Sequence, residues 1–242
     1  MIKSVCKKAK RGPGMSILIL NGSPKCEKSD TLKMSEAFAR GISDVSGGEI
    51  KIVHTAKKKI GYCTGCFICK KNGGACVIDD DAAEIIKTML KSDYVIFSFP
   101  LYCHSMPSSL KVFIERLMPL SSMKIVKDAE GDYRHEAQAD LSKMKRIMIC
   151  GSGYPGSKRD FELTEATFRR SFPDCGLAVC MEESPLFNIK DAEPVALPRL
   201  ELLKKAGAEY AENGSLSEDT RAALDAPMIP EEIYMRFANG VK

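Results

Sequence analysis

The sequence has no long hydrophobic run, and this absence excludes a helix that spans a membrane. Such a helix needs about 20 consecutive apolar residues to cross the hydrocarbon core of a bilayer. No apolar run among the 242 residues approaches that length. The N-terminus also has no apolar core of the kind that secretory signals carry. We therefore expect a cytoplasmic protein that does not bind membranes.

Two nucleotide-binding motifs are missing where the first apolar run ends. The chain there contains neither Gly-x-x-x-x-Gly-Lys-Ser/Thr, which would hold a nucleoside triphosphate, nor Gly-x-Gly-x-x-Gly, which is typical of dinucleotide sites. We find no catalytic triad, no internal repeat and no low-complexity block. These absences argue against a nucleoside-triphosphate enzyme and against a dinucleotide bound at this joint.

The folded part of the chain has little net charge. Residues 1–14 carry five basic residues and no acidic one, so the remainder has 31 basic and 32 acidic residues and a net charge of −1. Nothing in this balance indicates a nucleic-acid surface. Residues 1–14 end in Gly-Pro-Gly. We expect a disordered basic extension, or a translation start at Met15, with a nucleic-acid-binding tail as the alternative.

The stretch from Met15 to Leu32 predicts an anion site. Residues 16–20 are almost all apolar, as in a strand buried on both faces of a parallel sheet. Polar and small residues follow at 21–30, and a helical pattern opens at Thr31. The free N–H groups and the positive end of the helix dipole would converge there, which suits a phosphate. An ordinary strand–turn–helix joint is the alternative.

Strand-like and helical patterns alternate along the chain. The strands are predicted at 16–20, 49–55, 94–99, 145–150 and 176–181, and the helices at 31–42, 80–91, 107–117, 161–172 and 198–211. This alternation predicts an α/β fold with a doubly wound, five-stranded parallel sheet and helices on both faces. Ligands of such folds bind beyond the carboxyl ends of the strands. The loops 21–30, 100–105 and 151–157 would lie at that edge.

Two motifs resemble the flavodoxin-like NAD(P)H-dependent FMN reductase family. Gly22-Ser23-Pro24 with Ser29-Asp30-Thr31-Leu32 is similar to the phosphate loop of that family. Pro100-Leu101-Tyr102 followed by residues 109–116 is similar to its second signature, in which a proline–aromatic loop runs beside the isoalloxazine ring. The resemblance implies a flavodoxin-like domain at 15–210. Residues 211–242 would form a segment that packs on this domain or on a partner subunit.

The resemblance also implies which residues bind FMN. Contacts to the phosphate and ribityl chain are assigned to Ser23, Lys25, Ser29, Thr31 and Leu32. Contacts to the ring are assigned to Pro100, Leu101, Tyr102, His104 and Ser105, and Gly151 and Gly153 complete the set. No residue is assigned a catalytic role, because a flavin carries its own redox chemistry. Tyr102 and His104 are candidate helpers through stacking or proton supply, with a structural role as the alternative.

Four cysteines are concentrated in the loop 61–79. Cys63, Cys66, Cys69 and Cys76 lie within fourteen residues, and ten cysteines in an intracellular chain favour thiol, metal or cluster chemistry over disulfides. A compact Cys-x2-Cys-x2-Cys run suits a [4Fe–4S] cluster, although zinc also accepts four thiolates. The spacing resembles the iron–sulfur flavoprotein branch of the same family. Free thiols in a loop at the flavin edge are the alternative.

These observations predict an FMN-dependent oxidoreductase. It would pass electrons from NAD(P)H or a reduced carrier to a small acceptor such as a quinone, a flavin or a nitroaromatic. If the cysteines hold a cluster, the protein would instead be an iron–sulfur flavoprotein with ferredoxin as partner. A flavodoxin-type electron carrier and a zinc-stapled binding module are two further hypotheses. The family resemblance implies a homodimer or tetramer.

Overall fold

The computed structural model describes residues 15–128 and 131–240. The predicted basic extension, residues 1–14, lies outside the described residues. Within them, no helix is long and apolar enough to cross a membrane.

The described chain folds into strands and helices at these bounds. The strands are β1 (Ser16–Asn21), β2 (Glu49–His54), β3 (Tyr94–Pro100), β4 (Ser121–Lys127), β5 (Tyr133–Ala137), β6 (Lys145–Gly151) and β7 (Cys175–Met181). The helices are α1 (Asp30–Ser46), α2 (Ile68–Lys71), α3 (Asp81–Leu90), α4 (Ser108–Glu115), α5 (Lys158–Ser171), α6 (Glu193–Asn213), α7 (Glu218–Asp225) and α8 (Glu231–Ala238).

The main sheet confirms the predicted fold class. Its five strands follow the order β2-β1-β3-β6-β7, and every neighbouring pair is parallel. The chain moves outward from β1 to β2 and then returns to place β3 on the other side of β1. The strand order therefore reverses between β1 and β3. In doubly wound sheets this reversal opens a crevice at the carboxyl ends of the strands, where ligands bind.

The central strands are buried on both faces because their residues are apolar without alternation. In β1, Ile17 and Ile19 pack into the core under α1 and α6, while Leu18 and Leu20 pack into the core on the other face. Helices α1 and α6 touch backbone to backbone. A Cβ added at Gly41 would lie 1.9 Å from the carbonyl oxygen of Lys204. This close packing fixes α1, whose first turn lies at the crevice.

A two-stranded antiparallel sheet, β4–β5, is an addition that the sequence analysis missed. Its strands carry few apolar residues, so they show no clear strand pattern. They pack beside the cysteine loop through a buried lysine. Lys70 Nζ donates hydrogen bonds to Ser121 Oγ at 2.7 Å and to the Ser122 carbonyl oxygen at 3.2 Å. The hairpin therefore supports the loop that carries the four cysteines.

The C-terminal residues form two short helices, α7 and α8, where the sequence analysis predicted a segment that packs on the domain or on a partner subunit. Leu224 of α7 and Tyr234 of α8 are buried against the rest of the chain. The other apolar side chains of α8, namely Ile233, Met235 and Phe237, are exposed. One face of α8 thus packs on the sheet domain while its other face is open.

Candidate functional site

The three loops predicted to meet at the sheet edge line one cleft of about 650 Å³. They follow β1, β3 and β6, on the two sides of the strand-order reversal. Most of the predicted cofactor residues line the cleft: Ser23, Lys25, Ser29, Thr31, Pro100, Leu101, Tyr102, His104, Gly151 and Gly153. Its volume lies within the range of about 300–1,000 Å³ that is typical of small-molecule sites.

Three buried hydroxyl side chains surround the start of α1. Ser23, Ser29 and Thr31 are each about 1% exposed. Ser29 caps the helix, because its Oγ accepts the N–H of Leu32 at 3.2 Å and lies 2.9 Å from Thr31 Oγ1. The N–H groups of the first helical turn have no acceptor within the helix. This polar end of a 17-residue helix therefore offers both donors and a positive dipole end to an anion.

Lys25, the predicted cationic contact, already has an anionic partner. Its Nζ lies 2.9 Å from Asp30 Oδ2, and Asn188 Nδ2 also donates a hydrogen bond to the Asp30 carboxylate. Asp30 lines the cleft, although the sequence analysis assigned it no contact to the cofactor. The positive charge of Lys25 is therefore largely balanced inside the cleft. An anion bound there depends more on the hydroxyl and backbone donors than on Lys25.

The loop after β3 presents an aromatic ring at the mouth of the cleft. The N–H of Tyr102 donates to the Ser105 carbonyl oxygen at 2.8 Å, and the N–H of Ser105 donates to the Tyr102 carbonyl oxygen at 3.0 Å. Cys103 and His104 between them have φ values of 48° and 60°, which closes a tight turn. Tyr102 remains 42% exposed. The turn thus holds this ring where a planar ligand could stack.

His104 is tied to the following helix. Its Nδ1 lies 3.0 Å from Asp160 Oδ1 at the start of α5, and its carbonyl oxygen accepts a hydrogen bond from Thr164 Oγ1 at 3.2 Å. The imidazole is mostly exposed at the cleft. It is therefore oriented by a carboxylate and accessible to a ligand.

Two predicted residues do not line the cleft. Leu32 is buried in the core between α1 and the sheet, and it meets the site only through the N–H that Ser29 caps. Ser105 is occupied by its backbone bonds to Tyr102. Several cleft residues were missed as well: Asp30, Cys103, Ser152, Tyr154, Asp160, Ser184 and Pro185. Ser184 and Pro185 lie in the loop after β7, and the sequence of that loop shows no motif.

The four cysteines of the 61–79 loop line a single small cavity of about 20 Å³. Cys66 is exposed, Cys69 is buried and the other two are half-buried. The pKa of the Cys69 thiol is raised by burial first and then by the nearby Cys76 and Cys66. Across residues 15–128 and 131–240, however, no three His, Cys, Asp or Glu side chains are placed to hold a metal ion. The donor set suits a cluster, but the cavity has room for about one water.

Arg116 closes both ends of the cysteine loop. This side chain is 2% exposed, and its Nη1 donates to the Gly61 carbonyl oxygen at 2.8 Å and to Asp80 Oδ2 at 2.6 Å. Its Nη2 donates to Cys76 Sγ at 3.3 Å and to Asp80 Oδ1 at 3.1 Å. Burial raises the pKa of Asp80, but the hydrogen bonds from Arg116 and from backbone N–H groups outweigh burial and hold that pKa below its usual value.

Comparison with known proteins finds similarity to proteins that are named for flavins. Residues 15–131 match the family described as NADPH-dependent FMN reductase. An iron–sulfur flavoprotein of Archaeoglobus fulgidus is 36% identical over 46% of this chain and 49% of its own length. One of Methanocaldococcus jannaschii is 35% identical over 44% of this chain and 53% of its own length. The chain spans about half the length of these curated relatives.

Solved structures show the same fold. An azoreductase from Bacillus anthracis superposes with a TM-score of 0.58 at 18% identity, over 81% of this chain and 99% of its own. An FMN-dependent NADH-azoreductase from the same species, solved in complex with FMN, gives a TM-score of 0.57 at 15% identity, over 81% and 99% of the two chains. These likenesses confirm the flavodoxin-like architecture.

Proposed function

We propose that this chain is a member of the NADPH-dependent FMN reductase family, which its residues 15–131 match, that it binds FMN in the cleft and that it is an NAD(P)H-dependent oxidoreductase. One observation carries the proposal: the hydroxyl-lined start of α1 and the exposed ring of Tyr102 line the same cleft. The first suits a phosphate and the second suits a planar ring, and FMN contains both.

The side chains of the cleft supply binding and orientation. Ser23, Ser29 and Thr31 would hold the phosphate through their hydroxyl groups, together with first-turn N–H groups of α1. Bound FMN would accept a hydride and release electrons to the acceptor, so the protein needs no nucleophile of its own. The Tyr102 turn would orient the ring at the open mouth of the cleft, where Tyr102 is exposed and a nicotinamide or an acceptor could approach.

The Asp30 carboxylate must be neutralised for a phosphate to bind in the cleft. Its carboxylate lies in the same cleft as the proposed phosphate, so a full negative charge there would oppose binding. Lys25 at 2.9 Å and the amide of Asn188 offset that charge. We propose that Lys25 acts mainly by neutralising Asp30, which lets the neutral donors hold the phosphate.

Anaerobic stopped-flow mixing tests the oxidoreductase proposal. We expect the protein loaded with FMN to lose its flavin absorption on mixing with NADH or NADPH, faster than free FMN does. Addition of a quinone should then restore the absorption, because the acceptor removes the electrons. Tight FMN binding without reduction by either nucleotide would contradict the NAD(P)H-dependent activity. That result would favour a flavodoxin-type carrier or a protein reduced by ferredoxin.

A second candidate function is electron transfer through an iron–sulfur cluster. It is favoured by one observation, that Cys63, Cys66, Cys69 and Cys76 line one cavity. These four residues would hold the cluster, and the loop would have to open beyond its described conformation to admit it. Iron and sulfide analysis of protein purified without oxygen distinguishes the candidates: about four of each per chain would support the cluster, whereas zinc or no metal would exclude it.

A further inference from the structure

Residues 214–240, called the C-terminal segment below, are attached to the sheet domain by buried polar groups. The first is Arg199 of α6, whose guanidinium is buried. It donates hydrogen bonds of 2.8 Å to the carbonyl oxygens of Ala223, Leu224 and Ala226. A buried cation that satisfies several carbonyl groups fixes the path of the chain after α7, because breaking those bonds leaves a charge without partners.

A buried carboxylate makes the second attachment. Glu183 follows β7, is 1% exposed and has a φ of 56°, in the left-handed region. Its Oε2 accepts the N–H of Met228 at 2.7 Å. The next two residues, Ser184 and Pro185, line the cleft. One side chain thus connects the C-terminal segment to a wall of the cleft.

Tyr234 of α8 makes the third attachment, and it reaches the cleft most directly. The side chain is 1% exposed, and its hydroxyl donates to the carbonyl oxygen of Gly153 at 2.7 Å. Gly153 lines the cleft. Burial, followed by the nearby Glu183 and Asp30 charges, raises the pKa of Tyr234 to about 12, so the phenol remains a donor at neutral pH.

We propose that Tyr234 is a positioning residue for the FMN cleft, acting through its hydrogen bond to the Gly153 carbonyl. This inference rests on the proposed function. The loop 151–157 forms the wall of the cleft that follows β6, and its base is set by the bonds of Ser152 N–H to the Met181 carbonyl and of Ser184 N–H to the Ser152 carbonyl, both 2.9 Å. The hydrogen bond from Tyr234 holds the loop at Gly153, one residue after Ser152.

The family match ends at residue 131, so Tyr234 and Gly153 both lie in the part of the chain that the match does not cover. The C-terminal segment thus contacts the wall of the cleft from outside the matched region. In the proposed arrangement it determines how closely the 151–157 loop approaches bound FMN, and the Tyr154 side chain, exposed on that loop at the cleft, moves with it.

The test compares two tyrosine-to-phenylalanine variants. Y234F removes the hydroxyl that bonds to Gly153, and we expect its dissociation constant for FMN to rise about threefold to tenfold, as for one lost hydrogen bond. Amides of residues 151–157 should also exchange hydrogen faster in the FMN-free variant. The control is Y210F, a buried tyrosine that packs on Phe38 and Tyr94 in the core and does not line the cleft. Its FMN affinity and its exchange at 151–157 should match the wild type.

The outcomes separate this inference from the proposed function. Failure of the wild-type protein to bind FMN would overturn both. Equal FMN affinity and equal exchange at 151–157 in Y234F and the wild type would overturn the inference alone. If Y234F does not fold, hydrogen exchange of the wild-type amides, measured with and without FMN, tests the inference instead. FMN should then slow amide exchange in α8 as well as in 151–157. Exchange in α8 that does not change on FMN binding would refute the positioning role.

Discussion

Ser29→Asp is expected to bind FMN at least about 100-fold more weakly than Ser29→Asn, because like charges held together cost several kcal/mol. Ser29 is buried at the start of α1 and lines the cleft beside Thr31. Aspartate and asparagine both cap helices well, so each variant retains the first turn of α1. The pair differs only in a negative charge placed where the phosphate is proposed to bind. Quenching of flavin fluorescence during titration measures both affinities.

The thermal unfolding of the two variants is the control for this comparison. We expect similar midpoints, since an acidic cap also interacts favourably with the positive end of the helix. Equal affinity of the two variants for FMN would show that no phosphate lies near Ser29. The proposed orientation of FMN in the cleft would then be wrong, even if the protein binds flavin.

Arg116→Met is expected to lower the free energy of unfolding by about 3–5 kcal/mol, as when one partner of a buried ion pair is removed. Methionine retains much of the volume but none of the donors that hold Gly61, Cys76 and Asp80. Urea unfolding measures the loss. Because the pKa of Asp80 is lowered in the folded protein, the stabilisation by this pair is present above the ordinary carboxyl pKa of 3.8 and is lost as the pH falls through the lowered value.

A double-mutant cycle controls for the unpaired Asp80 carboxylate that Arg116→Met leaves in the protein. Asp80→Asn removes the carboxylate that Arg116→Met leaves unpaired, so the double variant should lose less stability than the two single losses added together. Arg116→Lys should fall between the wild type and Arg116→Met, since lysine keeps the charge but not the planar set of donors. Strict additivity, or an Arg116→Met variant as stable as the wild type, would refute the anchoring role of Arg116 in the cysteine loop.

Much of the fold could be predicted because the main strands and helices have clear patterns. The apolar residues of β1, β3 and β6 require burial on both faces, and a helical pattern follows β1, β3 and β6. The hairpin β4–β5 was missed since its residues are mostly polar and partly exposed. Its placement depends on tertiary contacts such as the one from Lys70, which a local pattern does not encode.

The candidate site was predictable where it depends on the loops after β1, β3 and β6. Ser23, Ser29 and Thr31 belong to one continuous motif, and the structure places all three at the cleft. Asp30 lies in the same motif, but its ion pair with Lys25 depends on the directions of the two side chains, which the sequence does not define. Ser184 and Tyr234 come from distant parts of the chain. Only the folded chain brings them to the 151–157 loop.

The cysteine loop shows another limit of sequence spacing. The compact motif predicted that four thiols would come together, and all four line one cavity. Spacing alone does not define the directions of the thiols, which Arg116 and Asp80 influence by holding the loop ends. Those two residues are 36 positions apart and carry no motif that links them to cysteine. The predicted cluster ligands therefore remain a proposal.

Titration of the flavin-free protein with FMN and with riboflavin tests the central claim most directly. The proposed phosphate site at the start of α1 predicts one FMN bound per chain, with a dissociation constant at or below about 1 µM. Riboflavin has the same ring but no phosphate, and it should bind at least about tenfold more weakly, because the donors around Ser29 are then left without the anion. Equal affinity for the two flavins, or no binding of either, would contradict the account.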